Sequence, residues 1–315
     1  MDHAHRGAAA LIGVDWGTTS ARAYRLDSSG RVLDRRSAPL GIQHVQDGRF
    51  ADALDRLIGE WRDDPAPRIA AGMIGSRQGW IEAPYVSCPA DLRMLAQRLT
   101  HVPDARLSIV PGITTRDDWG IPDVMRGEET QLLGAIPPDA HRALAVLPGT
   151  HSKWAQLSEG SVLDFRTYMS GELFAVLLGH SILGRLADRV DPPSSAIGAA
   201  FRRGVSRGLA PGALAHDIFG ARTLALHGDL AGAEVAEWLS GLLIGREINQ
   251  ARSWARTCGL DAEPVHIVGS ADLCGRYGAA LEQCGWTVAE TRSDAAAMGL
   301  WRIATAARMV EAKSS

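Results

Sequence analysis

The chain has 315 residues, 46% hydrophobic and 22% charged. These are ordinary globular values that exclude a largely disordered or fibrous protein, and at roughly 150 residues per domain they suggest two domains. With 33 basic and 36 acidic residues the net charge is −3, so no overall basic balance draws the chain to nucleic acid or to an anionic membrane.

In chain order, an apolar strand, Ala10–Val14, comes first. The apolar run Ala8–Val14 is too short for a signal peptide, and Asp15 follows it directly. No later stretch approaches the ~20 apolar residues that a membrane span needs. Four cysteines without a Cys-x-x-Cys pair (Cys88, Cys258, Cys274, Cys284) argue against a zinc knuckle or thioredoxin-type site and fit a reducing compartment. A cytoplasmic protein is expected. After Gly17-Thr18-Thr19 comes a second strand, the turn Asp27–Gly30, and then Val32-Leu33. Phe50–Arg62 carries Phe50, Leu54, Leu57, Ile58 and Trp61 at helical spacing. A strand Arg68–Met73, a helix Pro89–Leu99, a strand Leu107–Val110 and a helix Glu128–Ala135 complete the first half. Pro137-Pro138 breaks that last helix and marks the boundary.

The opening pattern then returns. Ala143–Leu147 is apolar, Gly149-Thr150 follows, and the turn Ser158-Glu159-Gly160 precedes Val162-Leu163. Between Val14–Ala23 and Val146–Ala155 a Val, Gly, Thr, Ser and Ala fall in register, which reads as a duplicated domain. Helices are predicted over Glu172–Leu186, Ala196–Leu209, Leu214–Leu226, Ala233–Cys258, Ala271–Cys284 and Asp294–Val310, with strands Val265–Val268 and Thr287–Ala289. The alternation gives an α/β fold of two domains, 10–136 and 140–305.

Glycine lets a backbone come close to phosphate, while amide N–H groups and Thr or Ser hydroxyls donate to it. Two related Gly-Thr turns therefore suggest a phosphate clamp, though either alone is explained by a capped β-turn. Asp15, at the end of the first strand, is placed to hold Mg²⁺ near the phosphates through water.

Asp15-Trp16-Gly17-Thr18-Thr19-Ser20 resembles the first phosphate motif of the sugar kinase/Hsp70/actin superfamily, and Leu147–Lys153 resembles the second. Val265-His266-Ile267-Val268-Gly269-Ser270 resembles its adenosine motif. Gly72–Trp80, Arg126–Gln131, Leu147–Trp154 and Met169–Phe174, in that order, closely resemble the 2-dehydro-3-deoxygalactonokinase family. The resemblance covers about residues 10–305. It implies duplicated actin-like (ribonuclease H-like) ATPase domains with an inter-domain cleft. The acceptor sugar acid would lie on the N-terminal side and ATP-Mg²⁺ on the C-terminal side. The final helix would cross back to the first domain. The implied reaction is ATP-dependent phosphorylation of 2-dehydro-3-deoxy-D-galactonate at its 6-hydroxyl. Gly17, Thr18, Thr19, Gly149, Thr150, His151, Ser152 and Lys153 would face the phosphates, and Gly269 and Ser270 the adenosine. Many superfamily members carry an Asp at the start of the second motif, where this chain has Leu147-Pro148. Lys153 is the substitute countercharge considered.

Phosphoryl transfer to an alcohol needs a proton acceptor. Glu128 and Glu129 are the candidates. Adjacent residues do not share a helix face, so at most one acts directly, with a lean to Glu128. Compensation of the helix dipole is the competing explanation. An acid substrate also needs a cation, for which Arg77 is the first candidate and Arg126 the second, since arginine grips a carboxylate with two parallel hydrogen bonds. Ser76 and Gln78 would meet hydroxyls, and Trp80 would wall the pocket. Glu172 reads equally as a site residue or a helix-start charge. An exopolyphosphatase-like hydrolase and a non-catalytic nucleotide or sugar-acid sensor are the rival readings. Neither a nucleic acid nor a membrane is expected as partner, and a homodimer is left open.

Overall fold

The computed structural model describes residues 8–188, 197–289 and 295–311. Two compact units account for them: 8–141 with 157–165 and 295–311, and 142–156 with 166–188 and 197–289.

In the first unit β1 (Leu11–Trp16), β2 (Ala21–Leu26) and β3 (Val32–Ala38) form an antiparallel meander. β4 (Arg68–Gly72) lies parallel to β1, with Asp15 opposite Ala71 and Trp16 opposite Gly72. β5 (Leu107–Ile109) lies parallel to β4, and the short strand Thr100–Val102 closes the order β3-β2-β1-β4-β5. Covered on both faces, β1 and β4 read as near-continuous apolar runs. Ile12, Val14 and Trp16 point to one face, where α1 (Phe50–Ile58) packs with Phe50, Leu54 and Leu57. α1 stops four residues short of the predicted Arg62, because Gly59 takes φ +55° and the chain tightens into a 3-10 turn over Gly59–Asp63. Pro89–Leu99 likewise shrinks to a helix at Leu92–Ala96. The Asp91 carboxylate accepts from Met94 N at 2.7 Å, and Ala90–Asp91 pairs as strand.

The residues between, Gly13 among them, face the C-terminal helix Ala295–Ala306, where a Cβ on Gly13 would stand 3.0 Å from Leu300. That helix crosses α2 (Glu128–Ala135) at Gly134 and Gly299; a Cβ on either glycine would collide with the other helix's backbone. The compact units therefore do not follow the linear ranges 10–136 and 140–305. The last helix finds its apolar partner in the first unit.

The second unit repeats the plan. β6 (Ala143–Leu147), β7 (Ser152–Ser158) and β8 (Ser161–Tyr168) run side by side, and β9 (Val265–Ile267) is parallel to β6. Val288 bridges β9 in parallel, where a strand Thr287–Ala289 was predicted. The strand order β8-β7-β6-β9 mirrors β3-β2-β1-β4, so the duplication read from the two Gly-Thr turns is present as topology. Residues 157–165, at the β7–β8 turn, group with the first unit, where Ser161 and Val162 pair with Asp91 and Ala90.

Helices carry the rest: α3 (Ser170–His180), α4 (Ala199–Leu209), α5 (Gly232–Thr257) and α6 (Ala271–Gln283). The predicted starts Ala196 and Asp294 lie outside the described residues. Leu214–Leu226 divides into helices Leu214–Asp217 and Gly220–Leu226, with the buried Asp217 carboxylate held by Arg207 and Arg246. α4 and α5 touch backbone to backbone: a Cβ on Gly204, Gly208, Gly241 or Gly245 would run into carbonyls of the facing helix. Overpacking of this kind costs about 1–3 kcal/mol. Gly241→Ala is therefore expected to lower the melting temperature by several degrees, read by calorimetry; an unchanged transition would contradict this packing. Among the described residues no helix is long and apolar enough to cross a membrane.

Candidate functional site

In the first unit the chain turns at Gly17–Ser20, where β1 ends. Gly17 N donates to Ser20 O at 2.9 Å. The outward carbonyls of the turn are all occupied: Ile42 N donates to Gly17 O, Gln43 N to Thr18 O and Gly41 N to Thr19 O, each at 3.1 Å. An anion is repelled by carbonyl oxygens and drawn to amides and hydroxyls. A turn whose carbonyls are bonded away, and whose Thr18 and Thr19 are exposed, suits phosphate. Asp15 sits half-buried one residue before Trp16.

β4 ends beside this turn at Gly72 (φ +98°), where a Cβ would stand 2.6 Å from Trp16 O. Gly127 (φ +106°) lies against it, since its Cβ would come within 3.0 Å of Gly72 Cα. Two glycines thus bring the start of α2 onto the ends of parallel strands, the usual ligand position in such sheets. Glu128 is half-buried, and its Oε2 accepts from Arg126 N at 2.9 Å. Glu129 is fully buried, accepting Gly127 N at 2.6 Å on Oε2 and the Thr130 hydroxyl at 2.8 Å on Oε1.

Burial pushes the Glu129 carboxyl up to about 7, and neighbouring Glu128 adds to the shift, against the opposing pull of its hydrogen bonds. The folded state therefore holds this proton more tightly than the unfolded chain, whose carboxyl titrates near 4.5. Stability is lost as pH rises from that value through about 7. Glu129→Gln removes the loss, so its melting temperature is expected to gain on wild type between pH 5 and 8. A difference independent of pH would contradict the assignment.

The loop after β4 carries the predicted sugar contacts. Ser76 Oγ donates to Met73 O at 2.7 Å, Gln78 is exposed, and Trp80 stacks on Phe50 with ring centroids 6.2 Å apart. Arg77 is 86% exposed, with Glu82 at a loose 3.7 Å. Arg126 is its opposite, at 8% exposure. Its Nη2 donates to Ala83 O at 2.8 Å and its guanidinium lies 4.3 Å over the Tyr85 ring. Its Nε and Nη1 have no hydrogen-bond partner among the described residues. A cation buried with donors unmet is costly.

In the second unit the corresponding turn spans Pro148–His151. Gly149 is half-buried, and Thr150 and His151 are exposed. Glu172 N donates to Thr150 O at 2.9 Å, and the Glu172 carboxylate pairs with His151 Nε2, so the start of α3 is fastened to the turn. Ser152 and Lys153 point inward: Ser152 is fully buried, and Lys153, 4% exposed, reaches His151 O at 3.3 Å. A Cβ on Gly269 would stand 3.6 Å from Pro148 O, and Ser270 caps α6, so the phosphate and adenosine motifs are neighbours.

Against them opens a pocket of about 160 Å³, lined by Gly149, Ser170, Phe174, Ser240, Leu273 and Tyr277 among others. On its wall Arg276 grips Glu237 with both carboxylate oxygens, at 2.7 and 3.0 Å. Behind it Glu247 is 2% exposed, accepting Trp154 Nε1 at 2.8 Å and the Tyr277 hydroxyl at 2.9 Å. Burial pushes the Glu247 carboxyl up, opposed by hydrogen bonds from Ser170, Trp154 and Tyr277. Sequence reasoning missed this set. The available signal was the charged pair Arg246-Glu247, set between the apolar Leu242–Ile244 and Ile248.

A family model described as 2-keto-3-deoxy-galactonokinase matches residues 15–303. The 2-dehydro-3-deoxygalactonokinase of Escherichia coli K12 is 36% identical over 288 residues, 91% of this chain and 94% of that protein. The crystal structure of a Sinorhizobium meliloti protein assigned to the same activity superposes with a TM-score of 0.82 at 37% identity, covering 95% of this chain and 98% of that one. The activator of 2-hydroxyisocaproyl-CoA dehydratase from Clostridium difficile aligns with a TM-score of 0.51 at 14% identity over 97% of this chain and 99% of its own, a likeness of fold alone.

Proposed function

The chain belongs to the 2-keto-3-deoxy-galactonokinase family, and on that premise we propose how its residues divide the work. The activity is ATP-dependent phosphorylation of 2-dehydro-3-deoxygalactonate. The 6-hydroxyl oxygen attacks the γ-phosphorus, its proton passes to Glu128, and the bond to the β-phosphate oxygen breaks to release ADP. Glu128 is the partly accessible carboxylate of the pair, on a glycine-bracketed turn at the strand ends. Glu129, with no exposed surface, is a positioning residue that holds Gly127 N.

The observation that carries the acceptor assignment is Arg126. It is a buried cation with two donors, Nε and Nη1, that no described residue meets, a charge for the sugar acid's carboxylate to answer, whereas Arg77 is solvated. The Thr18-Thr19 turn of the first unit and the Gly149-Thr150 turn of the second each offer donors suited to phosphate. The pocket of the second unit seats the nucleoside. Asp15 suits Mg²⁺, since it lies half-buried at the end of β1, just before the phosphate turn. A single carboxylate beside a phosphate turn fits an ion that keeps waters and phosphate oxygens as ligands. When bound, that ion neutralises charge on the moving phosphoryl group. Four unpaired cysteines support a cytoplasmic setting, and a homodimer remains open.

Two experiments test this reading. In a proton-coupled phosphorus NMR spectrum of the product, phosphate on the primary 6-hydroxyl is split by two protons into a triplet; a doublet would move the reacting hydroxyl. Leu273→Trp fills the pocket and is expected to weaken ADP binding by roughly tenfold or more while the acceptor KM holds. Unchanged ADP affinity would remove the nucleoside from this pocket.

A further inference from the structure

The deepest carboxylate of the second unit has no place in the chemistry above. Glu247 projects from the buried middle of α5, where Leu242, Leu243, Ile244 and Ile248 surround it in sequence. A buried charge survives only if its lone pairs are filled. The donors that fill these come from three separate elements. Trp154 lies on β7, just past the phosphate turn. Tyr277 comes from α6. Ser170 is the first residue of α3.

Two of these donors also touch the nucleotide side. Ser170 and Tyr277 line the pocket together with Gly149. Gly171, next to Ser170, packs against Gly149 so tightly that a Cβ there would collide with Gly149 O. The Tyr277 hydroxyl is 2.8 Å from Ser152 Oγ, where β7 leaves the turn. Tyr277 has one proton, and it goes to Glu247 Oε2. The Ser152 hydroxyl is within reach of both the tyrosine oxygen and the Glu247 carboxylate, so it donates into this cluster rather than accepting from it.

We propose that Glu247 is a positioning residue for nucleotide binding: its carboxylate gathers Ser170, Trp154, Tyr277 and Ser152, and so fixes the Gly149–Ser152 turn and the pocket wall in their binding shape. The proposal rests on the reading of the second unit as the nucleotide side. Glutamine in its place must turn an N–H₂ toward a donor, which breaks the cluster while keeping the volume. Removing the Tyr277 hydroxyl takes away one of the donors to Glu247 and the partner of Ser152.

The test is ADP affinity by calorimetry, without turnover, alongside the acceptor KM, for Glu247→Gln, Tyr277→Phe and Leu273→Trp. Both network variants are expected to lose roughly tenfold or more in ADP affinity while the acceptor KM stays within about twofold. Should Glu247→Gln fail to fold, Tyr277→Phe carries the test alone. Wild-type ADP affinity in the folded network variants, with affinity lost in Leu273→Trp, overturns the positioning role and leaves the pocket assignment standing. Wild-type affinity in all three overturns the nucleotide reading and the proposal with it. Equal losses toward both substrates would also overturn the proposal, since they mark Glu247 as a structural residue only.

Discussion

Glu128→Gln is expected to cut kcat by roughly 10²–10⁴-fold, the usual contribution of a positioned acid or base. Both KM values and the melting temperature should stay near wild type. Glutamine keeps the oxygen that accepts Arg126 N, so the turn it caps survives the change. What it loses is the ability to take the proton of the attacking hydroxyl. The selectivity of the loss matters more than its size. An interaction made only in the transition state lowers kcat and kcat/KM together. Compensation of the α2 dipole, the competing role for two acids in a first turn, would instead appear as a stability loss of about 0.3–1 kcal/mol with turnover intact. Glu129→Gln is the internal control. Buried and bonded to Gly127 and Thr130, it acts through the backbone, and its kcat should fall less than that of Glu128→Gln. A folded Glu128→Gln protein with full turnover would move the base elsewhere.

Arg126→Ala is expected to raise the acceptor KM by roughly tenfold or more, since a hydrogen bond between charged groups contributes about 1.5–3 kcal/mol. ADP affinity should not move. Arg126→Lys keeps the charge with fewer donors, so it should recover part of the loss. Stability gives a second and opposite signal. In the free protein Arg126 is buried with Nε and Nη1 unmet, and replacing a poorly satisfied buried charge by an apolar residue is often neutral or stabilising. Arg126→Met should therefore melt at or above the wild-type temperature without substrate, yet gain less when the sugar acid is added. A drop in melting temperature with an unchanged acceptor KM would make Arg126 a structural cation and return the carboxylate to Arg77.

Much of this was legible because it is local. The strand ends at Asp15 and Leu147, the Gly-Thr turns and both ends of α2 follow from apolar runs and breaker residues over a few positions. Exposure is not local. Nothing near Arg77 in sequence shows that it faces water, and nothing near Arg126 shows that Tyr85 and Ala83 wrap it. The return of the final helix to the first unit came from the resemblance and not from local sequence: it is a generic apolar helix until Gly13, Gly134 and Gly299 are seen to make room for it. Ser152 was read as a phosphate ligand from its place in the motif. In the fold its hydroxyl meets Tyr277 of α6, a partner far along the chain that nothing in the motif announces. The glycine pairs 204/208 and 241/245 were visible spacings, but only α4 lying across α5 gives them a purpose.

The most direct measurement is coupled ADP release with Mg-ATP over a panel of acceptors: 2-dehydro-3-deoxygalactonate, its gluconate isomer, neutral hexoses and buffer alone. The account predicts ADP release with the galactonate acid and little with neutral hexoses, which offer Arg126 no carboxylate. Release as fast with a neutral hexose, or no release with any acceptor from folded protein, would contradict it.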